Sequence, residues 1–296
     1  MPLVVRDIPE AENLFFTENG RLFVSGGTNV FEIIQRQDGS YTKLNTFHEA
    51  CTIEGITHVD NYLYAVCSIT NEKSTYGDSY LVAGEITPQI PDESVAAASP
   101  DHPYMSLHII GSLQKNAVPN GLEEGSEGEL YVSYSGTGDI MRIRLSAPQT
   151  LANVEKWSTR KINFVNGLEW VGDDLYFTGM KDKSLASVFG RIHKNADGSA
   201  SEPEILYERP YTLLDDITRY KDGILISDYM HGSLLYWREG YPVQESARDI
   251  FFSPTSVAVG RTPMFADDAL LVTEKGIIFK VDKNGGDRLS QFKSPF

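Results

Sequence analysis

The stretch Asn166-Gly167-Leu168-Glu169-Trp170-Val171-Gly172-Asp173-Asp174-Leu175-Tyr176-Phe177 decides the fold. It reads as a polar start, a short strand, a Gly/Asp turn and a second strand of apolar and aromatic residues. Short runs of this kind between turn clusters are the signature of antiparallel hairpins. The same order recurs five more times. The other second strands are Leu22-Phe23-Val24, Leu63-Tyr64-Ala65-Val66, Leu130-Tyr131-Val132, Ile224-Leu225-Ile226 and Leu270-Leu271-Val272. Each follows a Gly, Asn or Asp turn, as at Glu18-Asn19-Gly20, Asp60-Asn61 and Lys221-Asp222-Gly223. Third strands come next, among them Asn29-Val30-Phe31-Glu32-Ile33, Ile140-Met141-Arg142-Ile143, Leu234-Leu235-Tyr236-Trp237 and Ile277-Ile278-Phe279-Lys280-Val281.

First strands start at Glu12, Glu54, Asn120, Asn166, Asp215 and Thr255, at intervals of 40 to 49 residues with one of 66. A repeat of that length holding about four strands is a propeller blade. The expectation is therefore an all-β six-bladed β-propeller, with four-stranded antiparallel blades around a central channel and one domain over residues 1–296. The long interval contains Pro88, Pro91, Pro100, Pro103 and the run Ala96-Ala97-Ala98-Ser99-Pro100. Residues 71–108 accordingly read as a loop inserted in the second blade.

The 296 residues carry 26 Lys+Arg against 41 Asp+Glu, a net charge of −15. A surface this acidic repels phosphate backbones and anionic lipid. Nucleic acid and membrane are not expected as partners, and a small-molecule substrate is. No apolar run approaches the roughly 18 residues of a membrane span. The start of the chain lacks the basic and apolar regions of a signal peptide. A cytoplasmic protein is the expectation. Cys51 and Cys67, the two cysteines, are too few for a disulfide scaffold or a four-cysteine zinc site. Their strand registers look about three residues apart, so buried thiols are expected rather than a disulfide.

In a propeller the first strands line the channel. Glu12, Glu54, Asn120, Asn166, Asp215 and Thr255 would then ring one mouth, overhung by loops near 25–28, 134–137, 180–184, 228–232 and Glu274-Lys275. Five of the six are Glu, Asn or Asp, and none offers thiolate or imidazole. Hard cations such as Ca²⁺ take six to eight oxygen ligands. Glu12 and Asp215 would balance the charge of one such ion, and the asparagines would add neutral oxygens. Asn120-Gly121 and Asn166-Gly167 also match the strongest hairpin-turn dipeptide. Each, however, is followed about six residues later by its own turn, so a turn reading would need two turns per hairpin.

Several pieces carry a family resemblance. They are Asn166-Gly167-Leu168-Glu169-Trp170, Leu213-Leu214-Asp215-Asp216-Ile217 ahead of Gly223-Ile224-Leu225-Ile226, Pro254-Thr255-Ser256-Val257-Ala258-Val259-Gly260, and Glu12-Asn13-Leu14 ahead of Gly20-Arg21-Leu22-Phe23-Val24. The chain resembles, over essentially its whole length, the regucalcin/gluconolactonase family of calcium-dependent six-bladed propellers. More distantly it resembles diisopropyl fluorophosphatase and the paraoxonases. The resemblance implies a calcium-dependent hydrolase of a lactone or related ester. It implies one catalytic Ca²⁺ in the channel held by Glu12, Asn120, Asn166 and Asp215, with room in the scheme for a second, structural ion. Asp215-Asp216 stands where the family more often has Asp-Gly. The ten-residue spacing from Asn166 to Tyr176 and from Asp215 to Leu225 favours Asp215 as the ligand. In such families an Asp at this position is commonly the general base as well.

Glu54 is the reserve base, and His231 on the 228–232 loop is a third catalytic candidate, since imidazole exchanges protons near neutral pH. Tyr134, Met180 and Tyr229 are candidate pocket walls. Other readings of the ring are phosphotriester hydrolysis with Asp215 attacking directly, a non-catalytic calcium- or small-molecule-binding propeller, and a metal-free propeller like strictosidine synthase. No Gly-x-Ser-x-Gly elbow marks a serine hydrolase.

Overall fold

Each repeat folds into one antiparallel four-stranded sheet in the computed structural model, which describes residues 2–48, 51–70, 76–89, 91, 104–276 and 285–296. From the channel outwards, blade 1 runs Ala11–Phe16, Leu22–Gly26, Asn29–Gln35 and Tyr41–His48. Blade 2 runs Thr52–Val59, Tyr62–Thr70, Tyr76–Glu85 and His108–Ser112. Blade 3 runs Pro119–Glu124, Leu130–Tyr134, Asp139–Ala147 and Thr150–Lys156. Blade 4 runs Leu168–Val171, Asp174–Met180, Ala186–His193 and Glu204–Pro210. Blade 5 runs Leu214–Tyr220, Gly223–Asp228, Ser233–Trp237 and Gln244–Glu245. Blade 6 runs Pro254–Val259, Ala269–Glu274, Arg288–Lys293 and finally Leu3–Val5. Neighbouring first strands touch all the way round, blade 6 meeting blade 1, so the six-bladed propeller is closed.

The second strands read as unbroken apolar runs because both faces of each sheet are covered. Leu22 and Val24 pack with Leu271 and Leu289 of blade 6, whereas Phe23, between them, packs with Ile53 and Ile56 of blade 2. Leu130 and Val132 likewise join Tyr64 and Val66 of blade 2, while Tyr131 meets Trp157 and Trp170 on the side of blade 4. Each fully buried side chain of this size contributes roughly 1.5–3 kcal/mol.

Three expectations are corrected. Within 71–108, Tyr76–Glu85 is the third strand of blade 2 and His108 opens the fourth. That stretch is not one inserted loop; residues 71–75, 90 and 92–103 lie outside the described residues. In blade 6 the strand beside Ala269–Glu274 is Arg288–Lys293. The expected strand at 277–281 lies outside the described residues. Finally, Cys51 and Cys67 are disulfide-bonded, with Cα atoms 5.6 Å apart. Ile53 pairs with Cys67 in the ladder. The offset is thus two residues, and Cys51 precedes the strand, where no ladder bond holds its backbone away. A persistent disulfide belongs to oxidising compartments, so the linkage gives no support to the cytoplasmic expectation. No helix of the described residues is long and apolar enough to cross a membrane.

Candidate functional site

The ring positions are built by a repeated irregularity. In blade 1 the ladder steps from Ala11↔Gly26 to Leu14↔Val24, skipping Glu12-Asn13. Glu54-Gly55, Asn120-Gly121, Asp215-Asp216 and Thr255-Ser256 are skipped in the same way. Asn166-Gly167 precede the strand that begins at Leu168. Such bulges bend a strand and re-aim its side chains. Two residues earlier, Glu10, Val118, Phe164 and Ser253 all take a left-handed φ of 48–52°. That is rare for a β-branched residue such as Val118.

In every blade but the second, a hydroxyl facing the ring pair ties the ring together. Ser25, Ser133, Thr178, Ser227 and Thr273 accept the N–H of Asn13, Gly121, Gly167, Asp216 and Ser256 at 2.8–3.0 Å. The same hydroxyls donate to the main-chain oxygens of Glu54, Asn166, Asp215, Thr255 and Glu12 in the next blade, at 2.5–2.7 Å. Blade 2 has Val66 at this position and lacks the rung. The Asn-Gly pairs belong to this ring and not to turns. A Cβ on Gly121 would come within 2.4 Å of the Asn166 oxygen, and one on Gly167 within 2.6 Å of the Asp216 Cα. Glycine is required there by the close approach of the next blade.

All four expected ligands, Glu12, Asn120, Asn166 and Asp215, line one cavity of about 460 Å³ together with Met180, Tyr229 and Lys275. Glu12 and Asp215 are buried. The Asn166 amide donates to Asp215 Oδ1 at 2.5 Å. Lys275 Nζ lies 2.7 Å from Glu12 Oε2. Burial pushes the Asp215 carboxyl well above the usual carboxylate range, Glu12 adds to this, and Lys275 and Asn166 oppose it. Burial and Glu12 push the Glu54 carboxyl up to about 8 against the pull of Lys275. Burial lowers the Lys275 ammonium, but Glu12, Glu54 and Asp215 together outweigh it and hold it above the ordinary lysine range.

With Glu12, Glu54 and Asp215 all ionised, their charge beyond that of Lys275 would equal that of one dication. Two carboxylates and two amide oxygens form a donor set that suits a hard cation. Among the described residues no three His, Cys, Asp or Glu side chains are grouped closely enough to hold a metal alone. An ion at this mouth would therefore need the oxygens of Asn120 and Asn166 as well. Turning the Asn166 amide over presents its oxygen in place of its nitrogen. The residues present fit the ion.

The remaining candidates separate. Glu54 does not line the cavity but interacts electrostatically with Glu12 and Lys275. His231 does not line it either. Its Nδ1 lies 3.1 Å from Asp228 Oδ2 and 3.2 Å from Thr212 Oγ1, and the buried Asp228 also pairs with Arg209 at 2.9 Å. Met180 and Tyr229 are walls as expected. Tyr134 is buried, and its neighbours Ser135 and Gly136 take the lining position. Asp216 points to the opposite mouth, into a cavity of about 730 Å³ shared with Glu123 and Glu169. There its carboxylate accepts from Asn13 Nδ2 at 2.7 Å and from the Ser256 hydroxyl. Sequence reasoning saw Lys275 only as part of an overhanging loop. The signal for it is a lone lysine directly after the last second strand, where that strand meets the ring.

No family model matches the chain, and no curated protein matches it. Solved structures do. An aldose sugar dehydrogenase from Streptomyces coelicolor, in its PQQ-bound form, superposes with a TM-score of 0.69 at 13% identity, covering 99% of this chain and 96% of that one. A gluconolactonase from Xanthomonas campestris gives 0.66 at 12%, covering 98% and 88%. A luciferin-regenerating enzyme gives 0.63 at 13%, covering 98% and 93%. The fold is shared with these enzymes, and the gluconolactonase and the luciferin-regenerating enzyme agree with the resemblance read from the sequence.

Proposed function

We propose that this propeller is a calcium-dependent hydrolase of a lactone or related ester, acting at the Glu12–Asp215 mouth. The observation that carries the reading is the meeting of Glu12, Asn120, Asn166 and Asp215 in one cavity. A gluconolactonase among the structures of this fold supports the reaction class. Glu12, Asn120, Asn166 and Asp215 would hold the ion. The chemistry that a bound Ca²⁺ supplies is polarisation of a carbonyl oxygen and stabilisation of the charge that develops on it.

The chain supplies the rest. Asp215 accepts the proton of the attacking water as its oxygen adds to the carbonyl carbon; the ring C–O bond then breaks, and the proton passes to the alcohol released. Asn166 stands 2.5 Å from Asp215 Oδ1, so the turned amide would bring its oxygen to the ion that Asp215 also holds. Lys275 pairs with Glu12 and offsets part of the carboxylate charge. Glu54 stands in reserve behind Glu12. The test is metal analysis of the purified protein with a lactone and ester screen, with and without chelator. Turnover that chelator abolishes and Ca²⁺ restores supports the reading; turnover unaffected by chelator removes the calcium, and none on any lactone or ester removes the reaction.

A further inference from the structure

The two sides of this cavity are unlike. Towards blades 6, 1 and 2 stand Lys275, Glu12 and, behind them, Glu54. Towards blades 3 to 5, beside Asn120, Asn166 and Asp215, the lining adds the apolar Val118, Phe164, Met180 and Leu213. A second cavity of about 330 Å³ adjoins the first across Phe164 and Met180, which line both, and extends to Leu185. Phe164 is 65% exposed and Leu185 is 69% exposed. Lys181, which lines this shelf, is turned to Glu208 at 2.8 Å; Asn163, Lys183 and Ser184 also line it. Contiguous exposed apolar side chains beside a cavity mark a binding surface.

Phe164 is also fixed in place. Its left-handed backbone, φ 48°, stands two residues before Asn166, in the position that Val118 occupies before Asn120. The turn that brings each asparagine to the mouth therefore also sets an apolar side chain beside it. A polyhydroxylated lactone would need a partner for each hydroxyl, and an unpaired polar group is penalised on leaving water. On the blade 3 to 5 side Asn120, Asn166 and Asp215 are given to the ion in this reading and Ser135 donates to the Val165 oxygen, which leaves Tyr229 as the main partner for a substrate hydroxyl. An alkyl or aryl arm would instead take Phe164, Met180 and Leu185 out of water. We infer that the substrate is a lactone or ester bearing an apolar arm, which lies from Asp215 across Phe164 and Met180 to Leu185; this rests on the hydrolase reading above.

The experiment is a γ-lactone series, from γ-butyrolactone to γ-decanolactone, with glucono-δ-lactone beside it. Binding of the matching non-hydrolysable 5-alkyl-pyrrolidinones is followed by calorimetry. The expected result is a rise in kcat/KM of about twofold to fourfold per methylene, a parallel rise in pyrrolidinone affinity, and glucono-δ-lactone as the poorest substrate. Leu185→Ser and Phe164→Asn should both flatten the two series; asparagine tolerates the left-handed backbone, so the second variant keeps the turn. Turnover with a flat series, or with glucono-δ-lactone preferred, overturns the apolar arm and leaves the hydrolase. No turnover, with pyrrolidinone affinity still rising with chain length and lost in Phe164→Asn, overturns the hydrolase and leaves the apolar subsite. Neither turnover nor binding overturns both.

Discussion

Thr273, in the second strand of blade 6, donates its hydroxyl to the main-chain oxygen of Glu12, in the first strand of blade 1, at 2.7 Å. The ring of ligand-bearing backbone is thus tied between two residues 261 apart in the chain. The same hydroxyl accepts the Ser256 N–H at 2.9 Å. Thr273→Val leaves buried polar groups unpaired and should lower unfolding stability by about 2–3 kcal/mol. The reverse change is available in blade 2, where Val66 stands in the hydroxyl position. Val66→Thr supplies a donor for the Asn120 oxygen and should add about 0.5–1.5 kcal/mol. Urea unfolding of both variants checks the pair; equal, small effects of either sign would show that the rungs are incidental.

Removing Lys275 should have two opposite effects. Lys275→Met leaves Glu12 without its partner, and breaking such a pair should lower calcium-free stability by about 3 kcal/mol. It also removes the ammonium that competes for Glu12, so Ca²⁺ should bind at least tenfold more tightly, about 1.4 kcal/mol. Chemical unfolding without calcium and calorimetric titration with it read the two arms separately. Weaker calcium binding in the variant would mean that Lys275 organises the site instead of competing for it.

Ligation and proton transfer are separable at Glu12 and Asp215. Glu12→Gln and Asp215→Asn each keep an oxygen ligand and remove one charge, so both should weaken calcium binding. At saturating calcium Glu12→Gln should recover much of its turnover. Asp215→Asn should stay down by roughly 10²–10⁴-fold, the usual contribution of a general base. Equal recovery of both would leave Asp215 as a ligand only and turn attention to Glu54.

At the other mouth, burial and Asp216 push the Glu169 carboxyl up to about 8. The folded state therefore holds a proton there that the unfolded chain, with an ordinary carboxyl, has released. Stability should fall as pH rises from about 4.5 to about 8 and level off beyond. Glu169→Gln should remove its own share of that slope, to which Glu54 and Asp215 contribute with the same sign. Urea midpoints at pH 5.5 and 8.5 test this, and a wild-type midpoint that rises across the interval would contradict it.

The fold was legible because both faces of every second strand are covered, which writes runs such as Leu130-Tyr131-Val132 in unbroken apolar residues between turns. The ring was legible because one position recurs at each strand start, and the structure brings Glu12, Asn120, Asn166 and Asp215 to one cavity. What could not be read depends on contacts between distant segments. Nothing local says that Arg288–Lys293 docks on Ala269–Glu274, or that Leu3–Val5 completes that sheet. The Cys51–Cys67 link depends on the exact ladder register at the start of a strand, which composition leaves open by a residue or two. Lys275 pairs with a glutamate from the far end of the chain, a contact without a spacing rule.

The outermost strand of blade 6 has a consequence for how the molecule is made. Leu3 pairs with Ser290 and Val5 with Leu289, so this segment leaves the ribosome long before its partner. At about 5–20 residues per second, the interval between them is roughly a quarter-minute to a minute. Throughout that time Leu3–Val5 has no strand to pair with, and blade 1 has no blade 6 to cover Leu22 and Val24. The middle blades can collapse as they emerge, but the two flanks of the seam stay sticky until Arg288–Lys293 has emerged. A chaperone that holds nascent chains would find its target there.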